Sequence, residues 1–165
     1  DDALDLDDGD GVGLALDVHH QRAHDRLRER QRDVAAEALA QFGFDLDVAA
    51  TAENCWVENY IGPDRGRPDR VDALQIGWGN AVCWMNPPYS KCRQFIAKAA
   101  REASRGATVV CLVPSRTDTR WWHEHVWDTE KHRSRPGVEV RFIKGRLKFG
   151  ATGKAENSAP FPSVV

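Results

Sequence analysis

Ala81-Val82-Cys83-Trp84-Met85-Asn86-Pro87-Pro88-Tyr89 is the stretch that decides the fold. Its first five residues are an unbroken apolar run, the pattern of a short strand buried on both faces. Two prolines in succession then stop the strand, because neither carries an N–H to donate to a ladder. The run therefore ends in a rigid turn at a strand's carboxyl end, where open α/β sheets bind their ligands. That turn presents three groups together: the Asn86 carboxamide, the Pro87 carbonyl and the Tyr89 ring.

These groups suit an exocyclic amine on a nucleobase. Such a nitrogen is a weak nucleophile, since its lone pair is delocalised into the ring. Two acceptors set off the ring plane favour a pyramidal nitrogen and localise the lone pair toward an incoming methyl. They also stabilise the positive charge that develops during transfer, an oxyanion hole with the sign reversed. No strong base is needed before attack, so a neutral Asn86 suffices. Tyr89 offers a flat surface to a base swung out of its stack. The plain alternative is a stiff surface loop or a proline-rich ligand segment.

Downstream, Phe95, Ile96, Ala99 and Ala100 mark one face of an amphipathic helix, with Lys91, Arg93, Lys98 and Arg101 elsewhere. Gly106 caps that helix, and Thr108 to Val113 reads as a buried parallel strand. Strand, helix and strand in this order imply a right-handed crossover. Pro114 ends the second strand on the same edge as Asn86, so the loop Ser115 to Arg120 is expected to line the cleft. Arg116 and Arg120 are its candidates for phosphate contacts, which position a duplex without reading its sequence. Trp121, Trp122 and Trp127 are expected to pack a helix against the sheet. His123 and His125 point apart on a helix, so no metal site is expected.

Val138 to Phe149 alternates as a strand pair turning near Lys144-Gly145-Arg146. Arg141, Lys144, Arg146 and Lys148 make it the most basic stripe of the chain, with Phe149 as a candidate second ring against a base. The alternative is a solvated hairpin face whose lysines block edge pairing.

Upstream, Val34 to Ala40 reads as a helix ended by Gly43, and Phe44 to Val48 as a strand with Asp47 at its carboxyl end. Glu53 and Asn54 are candidate caps for a following helix. Residues 1–33 are acidic and then mixed in charge, without an apolar period, and are expected to be a weakly ordered segment before a domain at 34–165. Gly9-Asp10-Gly11-Val12-Gly13 lacks a preceding strand, so a phosphate-loop reading fails. The absence of an initiator Met and the stop at Val164-Val165 suggest a fragment.

The 165 residues, 41% hydrophobic and 29% charged with a net charge of −2, fit one soluble domain. The charge argues against a histone-like DNA binder but allows a local basic face. No apolar stretch reaches spanning length and no secretory signal opens the chain, so no membrane role is expected. Cys55, Cys83, Cys92 and Cys111 lack metal-ligand spacing and are expected as reduced thiols.

From about Gln41 onward the chain resembles the phage-type DNA N6-adenine methyltransferases. The resemblance rests on Phe42 to Ala50, Val71 to Leu74 with Trp78, and Asn86 to Ser90. It continues through Leu112 to Thr119 with Trp122-His123, Arg141 to Phe149, and Ala159 to Ser163. Asn-Pro-Pro-Tyr alone also occurs in methylases of protein glutamine and RNA guanine; the ordered set is more specific.

The resemblance implies an α/β, Rossmann-like fold with a mostly parallel sheet flanked by helices. It implies S-adenosyl-L-methionine as cofactor, double-stranded DNA as partner, a monomer, and a place in the cytoplasm of a bacterial host. Asn86, Pro87, Pro88 and Tyr89 become the catalytic turn. Asp47 becomes a cofactor residue facing the cationic end, with Ala49 and Ala50 small enough for close approach and Asn86 nearby; a capping role for Asp47 is the alternative. Asp72 resembles the acid that accepts the amino group of the cofactor's adenine, or else is a surface aspartate. Little chain lies between Tyr60 and Val71 for the usual second strand, which leaves the ribose without an assigned partner. Arg32-Asp33-Val34-Ala35 departs from the Thr-Pro pair of the family, which keeps an inactive DNA-binding remnant as an alternative.

Overall fold

The computed structural model describes residues 33–63, 66, 68–147 and 161–165. A first helix, α1, covers residues 33–42. Ala35 and Ala38, one turn apart, are buried on its inner face. Gly43 ends it at φ +64°, donating its N–H to Leu39 O at 2.8 Å. Glycine suits this left-handed position because it has no Cβ to clash.

Strands β1 (Leu46–Asp47), β2 (Val82–Met85) and β3 (Thr108–Cys111) form a parallel sheet in that spatial order. Leu46 lies opposite Cys83 and Asp47 opposite Trp84, while Val82 to Met85 pair with Thr108 to Cys111. Beyond β1, Tyr60 adds one further parallel bridge to Asp47. The chain thus gives a single bridged residue to the position for which little sequence was available.

Helix α2 (Cys92–Ala103) connects β2 to β3, as the strand–helix–strand reading required. Its inner face carries Cys92, Phe95, Ile96 and Ala99. The sequence placed Lys98 away from the core and Ala100 on it, and the structure reverses both: Ala100 is exposed and Lys98 is 4% exposed. The reason is Glu102, one turn on and equally buried. Lys98 Nζ lies 2.7 Å from Glu102 Oε1 and 5.6 Å from the centroid of the Trp78 ring. Glu102 Oε2 accepts the Trp78 N–H at 3.0 Å, and Arg105 reaches Oε1 at 3.2 Å. Burial would raise the Glu102 carboxyl, but the Lys98 ammonium, the Trp78 N–H and Arg105 outweigh it and hold it below the usual value.

After β3 the sheet changes character. Strand β4 (Val113–Pro114) pairs antiparallel with β7 (Ser163–Val164). Helix α3 (Arg120–His125) leads into the hairpin of β5 (Trp127–Asp128) and β6 (Arg133–Ser134). The architecture is α/β with both parallel and antiparallel pairing. The expected hairpin across Val138 to Phe149 is not formed within the described residues. Instead Phe142 bridges Val164, and Arg141 and Val165 exchange backbone hydrogen bonds at 2.7 and 3.0 Å. The alternating pattern was real, but its partner is the distant β7, which local periodicity cannot name. Lys148 and Phe149 lie outside the described residues, as do residues 1–32.

Both faces of the sheet are covered, as its unbroken apolar strands demand. One side packs Phe95 and Ile96 of α2 and both tryptophans of α3, Trp121 and Trp122, against Cys83 and Met85. The other packs α1 against Trp84, whose ring stacks on Phe44 at 5.1 Å between centroids. All four cysteines are free thiols, and burial pushes Cys83, Cys92 and Cys111 up to about 12, 11 and 12.

Glu102→Ala leaves the Lys98 ammonium buried without its carboxylate and is expected to cost about 3–5 kcal/mol in urea unfolding. A Lys98→Met, Glu102→Leu double substitution is expected to cost much less, since it removes both charges. Because the folded carboxyl is depressed, the contribution is present above the unfolded glutamate pKa. It is lost as pH falls through the folded value, so the Glu102→Ala deficit should shrink only in that acid range.

Candidate active site

The parallel register sets the site. Asp47 lies beside Trp84, so two residues further on Ala49 and Asn86 leave the sheet at the same carboxyl edge. Val48 N–H donates to Trp84 O at 3.0 Å and Leu112 N–H to Met85 O at 2.9 Å, which carries the alignment past the strand ends. Val113 and Pro114 follow on the β3 side, bringing Ser115 to that edge. Three chain segments far apart in sequence therefore emerge together, as open α/β sheets arrange their ligand sites.

Pro87 is buried, Asn86 half-buried, and Pro88 and Tyr89 are exposed. Pro88 stays extended, at φ −60° and ψ 137°, and a short 3-10 turn, Tyr89–Lys91, runs straight into α2. Lys91 N–H closes that turn on Pro88 O at 2.9 Å. The proline pair thus converts a buried strand into a fixed shelf. Neither the Asn86 carboxamide nor the Pro87 carbonyl has a hydrogen-bond partner among the described residues. Partial burial, and then the nearby Cys92 thiol, push the Tyr89 phenol up to about 12, so the ring is neutral at physiological pH.

Asp47 is 2% exposed at the end of β1. Its Oδ1 accepts the Ala49 N–H at 3.3 Å and its Oδ2 the Trp56 N–H at 3.1 Å. Burial raises its carboxyl to about 6, and the two N–H bonds counteract that only in part. The capping alternative is visible here: the carboxylate ties down residues 49–56, at the same sheet edge that Asn86 reaches. No helix follows for Glu53 and Asn54 to cap; Asn54 Oδ1 instead accepts the Thr51 N–H at 2.7 Å within a turn. Asp72 sits in a loop rather than on a strand, its Oδ1 accepting the Leu74 N–H at 3.0 Å. That turn places Ala73 so that its carbonyl accepts the buried Trp78 indole N–H at 3.0 Å.

Of the basic candidates, Arg116 is near enough to Cys92, the first residue of α2, for its charge to act on that thiol. Its guanidinium covers the Phe161 ring at 4.2 Å, and Nε meets Asp118 at 3.3 Å. Arg120 is exposed and paired with Glu124 along α3. Lys144 and Arg146 are exposed at a bend around Gly145. The structure gathers Asp47, Ala49, Ala50 and Asn86 at one edge and Arg116 on the adjoining loop.

Sequence reasoning missed three supports. Trp56 acts through its backbone N–H, which leaves no trace in residue type. Phe161 stacks on Arg116 across 45 positions, a pairing that no local pattern encodes. His123 is tied by Nε2 to Thr117 O at 2.9 Å and by Nδ1 to Thr129 Oγ1 at 2.7 Å, so the ring steadies the 115–119 loop. Among the described residues no three His, Cys, Asp or Glu side chains converge as a metal site would require. No helix of those residues is long and apolar enough to cross a membrane.

The sequence matches the family described as DNA N-6-adenine-methyltransferase (Dam) over residues 20–165. Among curated proteins it is 30% identical over 146 residues to the DNA N-6-adenine-methyltransferase of Escherichia phage T1, covering 81% of this chain and 58% of that one. It is 34% identical over 88 residues to the protein of the same description from Haemophilus phage HP1, covering 53% of this chain and 47% of that one. The chain thus spans about half the length of the curated relatives it matches. No solved structure matches it. The match along most of its length places this chain in the DNA N-6-adenine-methyltransferase (Dam) family.

Proposed function

We propose that this chain transfers a methyl group to the N6 amine of adenine in double-stranded DNA, on a Rossmann-like scaffold, with S-adenosyl-L-methionine as donor. One observation carries the reading: a half-buried Asn86 carboxamide and a Pro87 carbonyl stand unpartnered at the sheet edge that Asp47 and Ala49 also reach. The rigid shelf holds both acceptors in place for N–H groups that a ligand brings.

The residues present fit the cofactor. Asp47 provides a buried carboxylate for a cationic group, and Ala49 and Ala50 add little bulk beside it. Asp72 has one carboxylate oxygen held by Leu74 N–H and the other available to an amino group. When bound, the cofactor supplies an electrophilic methyl on a sulfonium. Asn86 and Pro87 accept the two amine hydrogens and hold the nitrogen pyramidal. Tyr89 stacks on the extruded base, its phenol remaining protonated throughout. Arg116 and Arg120 take DNA phosphates, joined by Lys144, Arg146 and Lys148, with the Phe149 ring as a second surface against the extruded base. The relatives are phage proteins, which supports a role inside a bacterial host, protecting DNA from restriction; the enzyme is proposed to act as a monomer.

The test is incubation with labelled S-adenosyl-L-methionine and unmethylated duplex DNA, followed by digestion to nucleosides. N6-methyladenine is the expected product. Label recovered in protein glutamine or in RNA, when those are offered instead, would transfer the reading to other substrates of the same turn. Cofactor binding without transfer to any of them would mark an inactive remnant. Asn86→Ala is expected to lower kcat by about 100-fold or more while leaving cofactor affinity little changed. Tyr89→Ala should weaken DNA binding by about 1–3 kcal/mol, with Tyr89→Phe close to the parent.

Asp47 gives a pH signature. Its folded pKa is raised, so folding favours its protonated form. That contribution is full below the unfolded aspartate value and lost as pH rises through about 6. A cationic ligand prefers the ionised form, so calorimetric cofactor affinity should fall roughly fourfold from pH 7.5 to 5.5. Asp47→Asn should be weaker at pH 7.5 and nearly flat over this range.

A further inference from the structure

Arg116 is held in a way that a phosphate contact does not require. Its guanidinium lies over the Phe161 ring at 4.2 Å, and its Nε donates to Asp118 Oδ1 at 3.3 Å. The backbone beneath it is fixed as well. Arg116 N–H donates to Pro114 O at 2.9 Å, and the Arg116 carbonyl accepts the N–H and the hydroxyl of Thr119 at 3.0 and 2.7 Å. Ser115 N–H donates to Pro162 O on one side, and His123 Nε2 donates to Thr117 O on the other. The Arg116 side chain is 35% exposed, and its two Nη groups have no hydrogen-bond partner among the described residues. Two exposed arginines show the difference. Arg120 pairs with Glu124 but stacks on no ring among the described residues, and Arg141 pairs with Glu139 but commits its Nη1 to Gln41.

Charge decides what those donors suit. Phosphate binding is driven by net positive charge and the counterions it releases. Asp118 is 72% exposed beside Arg116 and stays ionised, since the hydrogen bond from Arg116 holds its carboxyl below the usual value. The pair is therefore close to neutral, and its open carboxylate repels a phosphate. Neutrality does not weaken a hydrogen-bonding fork. A planar guanidinium with two parallel donors matches O6 and N7 of guanine in the major groove. A carboxylate beside it matches the N4 amine of the paired cytosine. The loop that carries both residues leaves the sheet at the edge that Asn86 reaches, and the Arg116 charge is felt at Cys92, where α2 begins.

We infer that Arg116 and Asp118 form a base-reading pair, which recognises a G·C pair in the major groove beside the target adenine. The inference rests on the duplex-DNA reading, and it narrows the role of Arg116 from a backbone contact to a base contact. Base contacts specify sequence, whereas phosphate contacts only position the duplex. The stack on Phe161 sets the plane of the fork, and the Asp118 carboxylate sets its rotation. With the plane and the loop already fixed, little side-chain freedom is left to lose on contact.

The test is an equilibrium selection from a library of duplexes, with a central adenine fixed and its flanks randomised, in the presence of S-adenosylhomocysteine. The parent is expected to enrich a G·C pair at one fixed distance from the adenine. Arg116→Ala and Arg116→Lys should both relax that position by about 10- to 100-fold and leave the others unchanged. Lysine keeps the charge but not the fork, and it guards against a loop disordered by the alanine. Asp118→Ala should relax the same position. A lysine variant that matches the parent would overturn the inference. So would an alanine variant that weakens all sequences equally and lowers the salt slope by about 1, which returns Arg116 to the phosphates. A flat profile from the parent would overturn it too. Binding is read here without turnover. A G·C preference in a protein that makes no N6-methyladenine would therefore count against the catalytic reading alone.

Discussion

The parallel pairing of β2 with both neighbours is the constraint on which the rest depends. Val82 to Met85 is covered on both faces and bonded on both edges, so its side chains and its register have no freedom to slip. A one-residue shift would move Trp84 from its stack on Phe44 to the opposite core and bring Met85 in its place. The register also fixes where the strand stops relative to β1 and β3. Asn86 is at the sheet edge because Trp84 is opposite Asp47, and Ser115 follows because Met85 is opposite Cys111. Placement of the candidate site is thus a consequence of core packing, and the proline pair only prevents the strand from continuing past it.

The protein buries two carboxylates and treats them in opposite ways. Glu102 is balanced by a full ammonium at 2.7 Å with further donors around it, so its charge is retained and its carboxyl depressed. Asp47 receives two backbone N–H groups and no cation among the described residues, so burial wins and its carboxyl is raised. The first arrangement is complete within the fold and fastens α2 to the segment before β2 through the Trp78 N–H. The second has no cation beside it among the described residues, and it lies at the sheet edge that Asn86 also reaches. On the proposed reading, a cationic ligand would supply that counter-charge.

How much of this was legible in the sequence divides along the distance over which each signal acts. The β2 run, α2, β3 and the turn at Asn86 came from contiguous patterns: apolar runs, helical spacing and prolines. The buried Lys98 was not legible, because residue type places a lysine at the surface and only its pairing with Glu102 reverses that. The strand pairing read over Val138 to Phe149 is realised only around Arg141 to Ile143, as one bridge and its flanking hydrogen bonds, and not as an internal hairpin within the described residues. Strand alternation identifies a face and not a partner, and β7 lies more than twenty positions away. Site residues divided in the same way. Asn86 and Tyr89 stood out by type and context, whereas Trp56 contributes through a backbone N–H that every residue but proline carries.

β7 is short, yet it joins the two sides of the candidate site. Ser115 leans on it through Pro162 O, Arg116 through the Phe161 ring, and the basic segment at Arg141 to Ile143 through a ladder of its own. The loop expected to meet DNA phosphates and the strip expected to follow the duplex are therefore both referenced to one two-residue strand. Its position is set by backbone hydrogen bonds on both edges and by hydrophobic contact, with Val164 in one core and Val165 in the other. The shelf that carries Asn86 is fixed by the parallel sheet, but the spacing between shelf and phosphate contacts is set by how firmly β7 seats. On the proposed function, substrate grip and methyl transfer should accordingly respond to different parts of this fold: the first to the antiparallel edge, the second to the parallel core.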